Sequence, residues 1–352
     1  MDSKINNIFK LISINLIFFF IFIIFIELIF GYWFEKYNFG PYLREHRLKK
    51  IPYQMTYGNI KYNYEYIKNS YAFRGQELNP KDIKIIMVGG STTDERYKPE
   101  KFTIVEILNK KLNEQNFSKK IINAGIEGQS TRGHVANFNY WFNKIENFKP
   151  EFMIFYIGIN DSIFLNSNNS DLQDGWIKNP NKFESFLDNI KSRSILANLI
   201  KKIKHKYNMK DESKRLIYDY DYHMKNNKEK KIYINYNDKF DMYDLNISLK
   251  SNKIIIDKYI QNIDRLYNLT KSLGAVPIFI NQPAQQGHFS EILFVLNNSL
   301  ILHCKKKEYN CIDLVKELEA TNDFWWDGIH TTPKGSRAIA DKIFPKLIKF
   351  LN

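Results

Sequence analysis

The chain has 352 residues, 44% hydrophobic and 26% charged, so it can bury a globular core and is not disordered as a whole. Its 52 basic and 38 acidic residues give a net charge of +14, so nucleic acid, an anionic membrane and an acidic glycan are candidate partners. We expect no nucleic-acid partner, because no basic stripe accompanies a recognition motif. The two cysteines, Cys304 and Cys311, exclude a disulfide-scaffold fold and a four-cysteine zinc site.

An apolar segment near the amino terminus runs from Leu11 to Phe34 and contains one charge, Glu27. It exceeds the roughly 20 residues that a helix needs to cross a bilayer. We interpret residues 1–36 as an uncleaved membrane anchor and residues 37–80 as a spacer. A signal peptide is the alternative, but it requires a shorter apolar core and a small-residue cleavage site, whereas this segment ends in bulky aromatic residues.

The charges that flank this segment indicate its orientation only weakly. Lys4 and Lys10 precede it, and five basic residues follow it: Lys36, Arg44, Arg47, Lys49 and Lys50. The positive-inside rule favours a cytoplasmic domain, but in a chain so rich in lysine about three of these five charges are background.

From about residue 81, short apolar runs alternate with helical patterns. The runs are Lys84–Val88 before Gly89-Gly90, Lys120–Ile122 before Asn123-Ala124-Gly125, and Phe152–Ile157 before Gly158. The helical patterns between them lie at Phe102–Leu112 and near Val135–Ile145. This alternation predicts a parallel sheet in a three-layer α/β/α sandwich.

The alternation lapses over residues 165–250, which we interpret as an insertion or a lid. Apolar residues at helical spacing occupy residues 183–203 of this segment. The pattern resumes with an amphipathic helix at Ile254–Leu273 and a strand at Ala275–Ile280, and a last helix begins after Thr332. The domain is therefore predicted to span residues 81–352.

Polar residues follow the predicted strands, where the loops of a parallel sheet converge on one crevice. Ser91 comes directly after Gly89-Gly90, and the glycines permit a tight turn that exposes its hydroxyl near a helix start. A serine helix cap is the alternative interpretation of this motif alone. The loops that contain Gly128 and Asn160 follow the second and third strands, and each alone is an ordinary turn.

The loop before the last helix contains Asp327 and, three residues later, His330. In a short turn this spacing lets the carboxylate accept the proton of one imidazole nitrogen, which leaves the other nitrogen free as a base toward a serine hydroxyl. A loose surface pair is the alternative interpretation.

Taken in this order along the chain, the four loops resemble the SGNH, or GDSL-type, hydrolase superfamily. The resemblance covers Lys81 to the carboxyl terminus, apart from the insertion. The resemblance implies a flavodoxin-like three-layer fold. It assigns a catalytic triad of Ser91, His330 and Asp327, and an oxyanion hole of Ser91, Gly128 and Asn160. Gly90 stands where the family's name-giving motif has aspartate. The Asn69–Gly75 run also looks like the approach segment of membrane-anchored bacterial members.

The resemblance implies acyl transfer through a serine nucleophile, with no metal and no organic cofactor. We expect an esterase that removes O-acyl groups, acetyl among them, from a cell-envelope glycan. An O-acyltransferase that uses the same nucleophile is one alternative, and an inactive glycan- or protein-binding domain is another. Because acylated envelope glycans lie outside the cytoplasm, we expect the catalytic domain to face outward from a single-pass anchor, despite the flanking charges. Cys304 and Cys311 would then lie in an oxidising compartment.

Overall fold

The computed structural model describes residues 2–34, 46–164, 182–197, 244–285 and 291–352, together with residues 39, 43, 199, 200, 203, 218 and 219. The chain divides into two compact units. The first unit comprises Met1–Arg44 and Asn179–Arg215, and the second comprises Glu45–Lys178 and Leu216–Asn352. Most of the predicted insertion, and with it the interpretation as a lid, lies outside the described residues.

The described elements are as follows. The strands are β1 (Lys49–Tyr57), β2 (Ile60–Lys68), β3 (Ile85–Gly89), β4 (Ile121–Gly125), β5 (Phe152–Ile157), β6 (Tyr218–Asp219), β7 (Val276–Asn281) and β8 (Asn310–Ile312). The α-helices are α1 (Asp2–Phe30), α2 (Ser91–Asp94), α3 (Ile104–Glu114), α4 (Thr131–Tyr140), α5 (Ile159–Phe164), α6 (Lys182–Arg193), α7 (Leu245–Ser251), α8 (Lys253–Ser272), α9 (Glu291–Lys307), α10 (Leu314–Glu317) and α11 (Pro333–Leu351).

In the first unit, α1 contains a segment, Lys10–Phe30, of 21 residues with a mean hydropathy of 2.8. Its length and composition suffice to cross a membrane, although a signal sequence near the amino terminus meets the same criterion. Helix α6 also belongs to this unit. The structure therefore contains one apolar helix where the anchor is predicted.

The second unit is built on a parallel sheet with the strand order β4-β3-β5-β7-β8. Numbered along the sheet's own strands, this is the 2-1-3-4-5 order of the flavodoxin-like fold. The predicted α/β class is confirmed, and the four predicted strands are present with ends shifted by at most three residues, whereas β8 was not predicted. The carboxyl ends of β3, β4 and β5 lie side by side, since Gly89 is paired with both Gly125 and Tyr156.

Apolar side chains fill both faces of this sheet. On one face, Ile85, Met87 and Ile154 form a buried cluster with residues of α3 and α11. Toward the other face, α8 and α9 contact β7, and α4 packs against α8. Two aromatic residues of neighbouring strands, Phe155 and Phe279, stack there with ring centroids 5.3 Å apart. The sheet is therefore the middle layer of three.

Residues 49–68, which fall in the predicted spacer, form an antiparallel hairpin. Tyr57 pairs with Ile60 across a two-residue Gly58-Asn59 loop, and Gly58 has a left-handed φ of 60°. The compact unit that contains the sheet begins at Glu45. Tyrosine, asparagine and lysine dominate this stretch, so the alternation of its side chains between two faces is not marked by the usual apolar residues.

Cys304, at the end of α9, is bonded by a disulfide to Cys311 in β8. The bond closes the short connection between the helix and the edge strand of the sheet. The sequence alone leaves this pairing open.

Candidate active site

Ser91 lies at the carboxyl edge of the sheet, two residues after the end of strand β3. The strand ends at Gly89, Gly90 precedes the helix, and Ser91 is the first residue of α2. A Cβ atom at Gly90 would lie 2.3 Å from the Asn160 side-chain nitrogen, closer than atoms can approach. Glycine at position 90, where the resemblance expects aspartate, therefore makes room for the Asn160 amide beside the Ser91 turn.

The loop before α11 brings His330 and Asp327 to the same place. His330 Nε2 lies 2.8 Å from Ser91 Oγ, and His330 Nδ1 lies 2.7 Å from Asp327 Oδ2. The backbone N–H groups of Ile329 and His330 donate to Asp327 Oδ1, at 3.2 and 3.0 Å. Burial would raise the pKa of Asp327, but the hydrogen bonds from His330 and these backbone groups outweigh it and lower that pKa. The carboxylate is thus ionised at neutral pH.

Tyr97 holds the imidazole from the side. Its ring lies edge-on to the His330 ring, with centroids 5.4 Å apart, and its hydroxyl donates to Glu127 Oε1 at 3.0 Å. Arg96 pairs with Glu127 at 2.6 Å and donates to the Tyr97 hydroxyl at 2.8 Å. A half-exposed ion pair therefore borders the Ser91–His330 pair, next to the loop that contains Gly128.

The loops after β4 and β5 meet beside the Ser91 turn. Gly128 has a left-handed φ of 76°, and the space where its Cβ would lie is open. Asn160 Nδ2 donates to the carbonyl of Gln129 at 2.7 Å, which uses one of its two amide hydrogens. Gln282 joins these loops to α2, because it accepts from the Ile159 N–H at 2.9 Å and donates to Thr92 Oγ1 at 2.7 Å. All five residues assigned by the resemblance therefore lie at one edge of the sheet, either on loops or in the first turn of a helix that follows a strand.

A buried charge network behind α2 was not predicted from the sequence. Glu95 and Lys98 form a 2.7 Å ion pair, and each is about 2% exposed. Both also bond to Thr331, the residue after His330, and to Ser336 of α11. Burial lowers the pKa of Lys98, and the ion pair opposes that shift. Because the network joins the end of α2 to the His330 loop, it fixes one relative to the other.

A second buried network joins the hairpin to α2. Lys68 pairs with Asp94 at 2.9 Å and donates to the Gly125 carbonyl, while the Tyr66 hydroxyl donates to the same carboxylate. Arg74 donates to the carbonyls of Asp94 and Lys98. The hairpin and the Asn69–Gly75 run are thus part of the scaffold that holds Ser91. The resemblance singles out the Asn69–Gly75 run, which contains Arg74, but nothing in the sequence distinguishes Lys68 or Asp94 from other charged residues.

Comparison with known proteins identifies the family of the chain. Residues 85–343 match the family of GDSL-like lipases and acylhydrolases, well over half of the chain. The chain belongs to this family and is a hydrolase that acts on ester bonds. A search of curated proteins found no match.

Solved structures that resemble the chain do so at low sequence identity. TesA shows 10% identity and a TM-score of 0.44, with 75% of this chain and 97% of that chain covered. A catalytic mutant of the acetylxylan esterase Axe2 from Geobacillus stearothermophilus shows 12% identity and a TM-score of 0.44, with 75% and 94% covered. The psychrotrophic esterase EstA from Pseudoalteromonas sp. shows 12% identity and a TM-score of 0.43, with 76% and 98% covered.

Proposed function

We propose that the protein is a membrane-anchored serine esterase that removes O-acyl groups, acetyl among them, from a cell-envelope glycan. The observation that carries the catalytic part is the unbroken hydrogen-bond chain from Ser91 Oγ through His330 to Asp327. Nucleophile, base and orienting carboxylate lie at the separations that serine hydrolysis requires.

In the proposed mechanism, His330 Nε2 accepts the proton of Ser91 as its oxygen attacks the ester carbonyl. Asp327 holds the other ring nitrogen protonated and stabilises the imidazolium that forms. His330 then gives this proton to the alcohol oxygen of the ester as the ester bond breaks. The alcohol departs, and the acyl group remains bonded to Ser91. A water molecule, which loses a proton to the same imidazole, attacks the acyl carbonyl. The bond between the acyl group and Ser91 Oγ breaks, Ser91 Oγ takes the proton from His330, and the carboxylic acid leaves.

The oxyanion of each tetrahedral intermediate is held by the backbone N–H groups of Ser91 and Gly128 and by the side chain of Asn160. The open space around Gly128 and the second amide hydrogen of Asn160 support this assignment. Such a donor is fixed before the reaction and is typically worth about 2.7–4 kcal/mol of transition-state stabilisation.

The envelope location is supported by two observations on the chain itself. An apolar helix long enough to cross a membrane lies near its amino terminus. The Cys304–Cys311 disulfide is typical of oxidising compartments outside the cytoplasm. An ester accessible from that side, such as an acetylated polysaccharide, is therefore the proposed substrate.

The test is a panel of esters given to the detergent-solubilised full chain. We expect release of acetate from O-acetylated polysaccharides, and slower release from long-chain lipid esters. Adding an unacetylated glycan acceptor separates hydrolysis from transfer, because a transferase would acetylate the acceptor instead of releasing acetate. Hydrolysis of lipid esters alone would overturn the glycan assignment while it leaves the esterase assignment in place.

For topology, we expect the amino terminus in the cytoplasm and the catalytic domain outside it. Alkaline phosphatase fused after Asn352 should be active in intact bacterial cells, since that enzyme needs an oxidising compartment. A green fluorescent protein fused at the same residue should be dark when exported through the general secretion pathway. Bright fluorescence with inactive phosphatase would contradict the orientation and agree with the flanking charges.

A further inference from the structure

Glu27, the single charge of the apolar segment Leu11–Phe34, is held by several hydrogen bonds. Its carboxylate accepts from the Ser194 hydroxyl at 2.7 Å and from the backbone N–H groups of Ile195 and Leu196, each at 3.1 Å. Trp33 Nε1 donates a further bond at 3.1 Å. Ser194 also accepts from the Ala197 N–H at 3.0 Å, as a helix-capping serine does. Glu27 therefore binds the start of a second helical segment rather than standing alone in the apolar helix.

The backbone repeats this connection. The Tyr32 N–H donates to the Arg193 carbonyl at 2.7 Å, at the last residue of α6. The described residues 182–197, 199, 200 and 203, here called the α6 segment, are thus fastened to the end of α1 at the point where α6 stops and the next helical residues begin. All of these contacts lie within the first compact unit.

The α6 segment exposes apolar side chains on both sides of this attachment. Six large ones are between 36% and 68% exposed: Phe183, Phe186, Ile190, Leu199, Ile200 and Ile203. Phe183, Phe186 and Ile190 are spaced by three and four residues, as on one face of a helix. Leu199, Ile200 and Ile203 are spaced by one and three residues. Lys191 and Arg193 lie in the last turn of α6, and the acidic residues Glu184 and Asp188 come earlier in the same helix. Exposed apolar faces bordered by basic residues are the pattern of helices that lie in a membrane interface.

The attachment point fixes the depth at which these faces would lie. Glu27 comes three residues before Phe30, the end of the apolar span, which is about 4.5 Å along the helix axis. If α1 crosses the bilayer, the residues bound to Glu27 lie at the boundary between headgroups and acyl chains. Interfacial helices bury their apolar faces by about 5–10 Å at this boundary.

We propose that the α6 segment is a second membrane-contacting element, which lies in the headgroup region of an anionic phospholipid bilayer and is fastened there by Glu27. This inference rests on the proposed membrane anchor and extends it. The bilayer is the occupant of the exposed apolar faces because they continue directly from the exit end of α1. This contact explains why an acidic residue occurs within the apolar segment: the Glu27 carboxylate caps the helical residues that follow Ser194.

The test uses the full chain in nanodiscs of phosphatidylcholine and phosphatidylglycerol that contain a phospholipid with a photoreactive acyl chain. After irradiation, labelled peptides are identified by mass spectrometry. We expect labelling in residues 10–30 and in residues 182–203. Labelling of residues 10–30 alone would overturn the inference and leave the anchor in place. Labelling of neither segment would show that the anchor itself is wrong, and the inference would fall with it.

Variants separate the bilayer contact from the interpretation as a lid. Replacing Phe183, Phe186 and Ile190 together by serine should lower the labelling of residues 182–203 several-fold, while hydrolysis of a soluble acetyl ester stays unchanged. Glu27→Gln should also lower it while residues 10–30 remain labelled, since the amide holds the helical residues less tightly. Ile254→Ser, at an exposed position of α8, is the matched control and should change neither quantity. Unchanged lipid labelling with several-fold altered hydrolysis in the triple variant would contradict the proposal.

Discussion

Ser91→Ala is expected to lower kcat by about 10⁵- to 10⁶-fold, because the proposed reaction has no other nucleophile and removal of the serine in serine hydrolases costs about this much. A fluorophosphonate probe, which forms a covalent bond with activated serines, should label the wild-type protein and leave the variant unlabelled. The melting temperature should change little, since Ser91 Oγ is bonded within the described chain only to the partly exposed His330.

The control for this experiment is Ser272→Ala. Ser272 lies exposed near the end of α8, and its hydroxyl bonds only to a local backbone carbonyl. This variant should keep full labelling and full activity. Equal labelling of Ser91→Ala and the wild type would show that another residue is the nucleophile.

Asn160→Ala is expected to lower kcat by about 100- to 1,000-fold with little change in KM, as the loss of one oxyanion donor does. Asn160→Asp should be at least as harmful, because its carboxylate keeps the shape but cannot donate and repels the oxyanion. Steady-state kinetics on a soluble acetyl ester measures both effects. The lost bond to the Gln129 carbonyl should lower the melting temperature by no more than about 4 °C.

Asn252→Ala provides a control, because its side-chain nitrogen also donates to a backbone carbonyl, that of Ser248, at a turn between α7 and α8, with longer bonds of 3.3 Å to Ser251 and Glu291. It should lose a similar amount of stability and none of the activity. If instead Asn160→Ala lost much stability while kcat stayed near normal, Asn160 would be a turn residue and not an oxyanion donor.

The parallel sheet was predictable because its strands are buried on both sides. Residues 85–88 and 152–157 are uninterrupted apolar runs, and each ends in glycine at the edge where loops converge. The Asp327–His330 spacing was also informative, since a short turn leaves few arrangements of the two side chains. Because the four loops occur along the chain in the order that the family has, Asp327 and His330 could be assigned to the same site as Ser91. The roles of these residues in catalysis stay predictions.

The hairpin and the two buried networks were not predictable in the same way. Glu95 and Lys98 do not differ in sequence from the many other charged residues of this chain. What distinguishes them is burial against Thr331 and Ser336, more than 200 positions away along the chain. Such partners become known only when the last helix has been placed beside α2. Asp94 finds its partners, Lys68 and Tyr66, in the hairpin, whose tyrosine-rich strands do not carry an apolar period.

The contact between Gly90 and Asn160 has a consequence for substitutions beside the nucleophile. A Cβ atom at position 90 would lie 2.3 Å from Asn160 Nδ2, so any side chain there requires the Asn160 amide to shift. Such a shift would change the bond from this amide to the Gln129 carbonyl and would therefore move the proposed oxyanion donor. The two positions are in this sense coupled across 70 residues of the chain, and the effects of substitutions at them are expected to be non-additive.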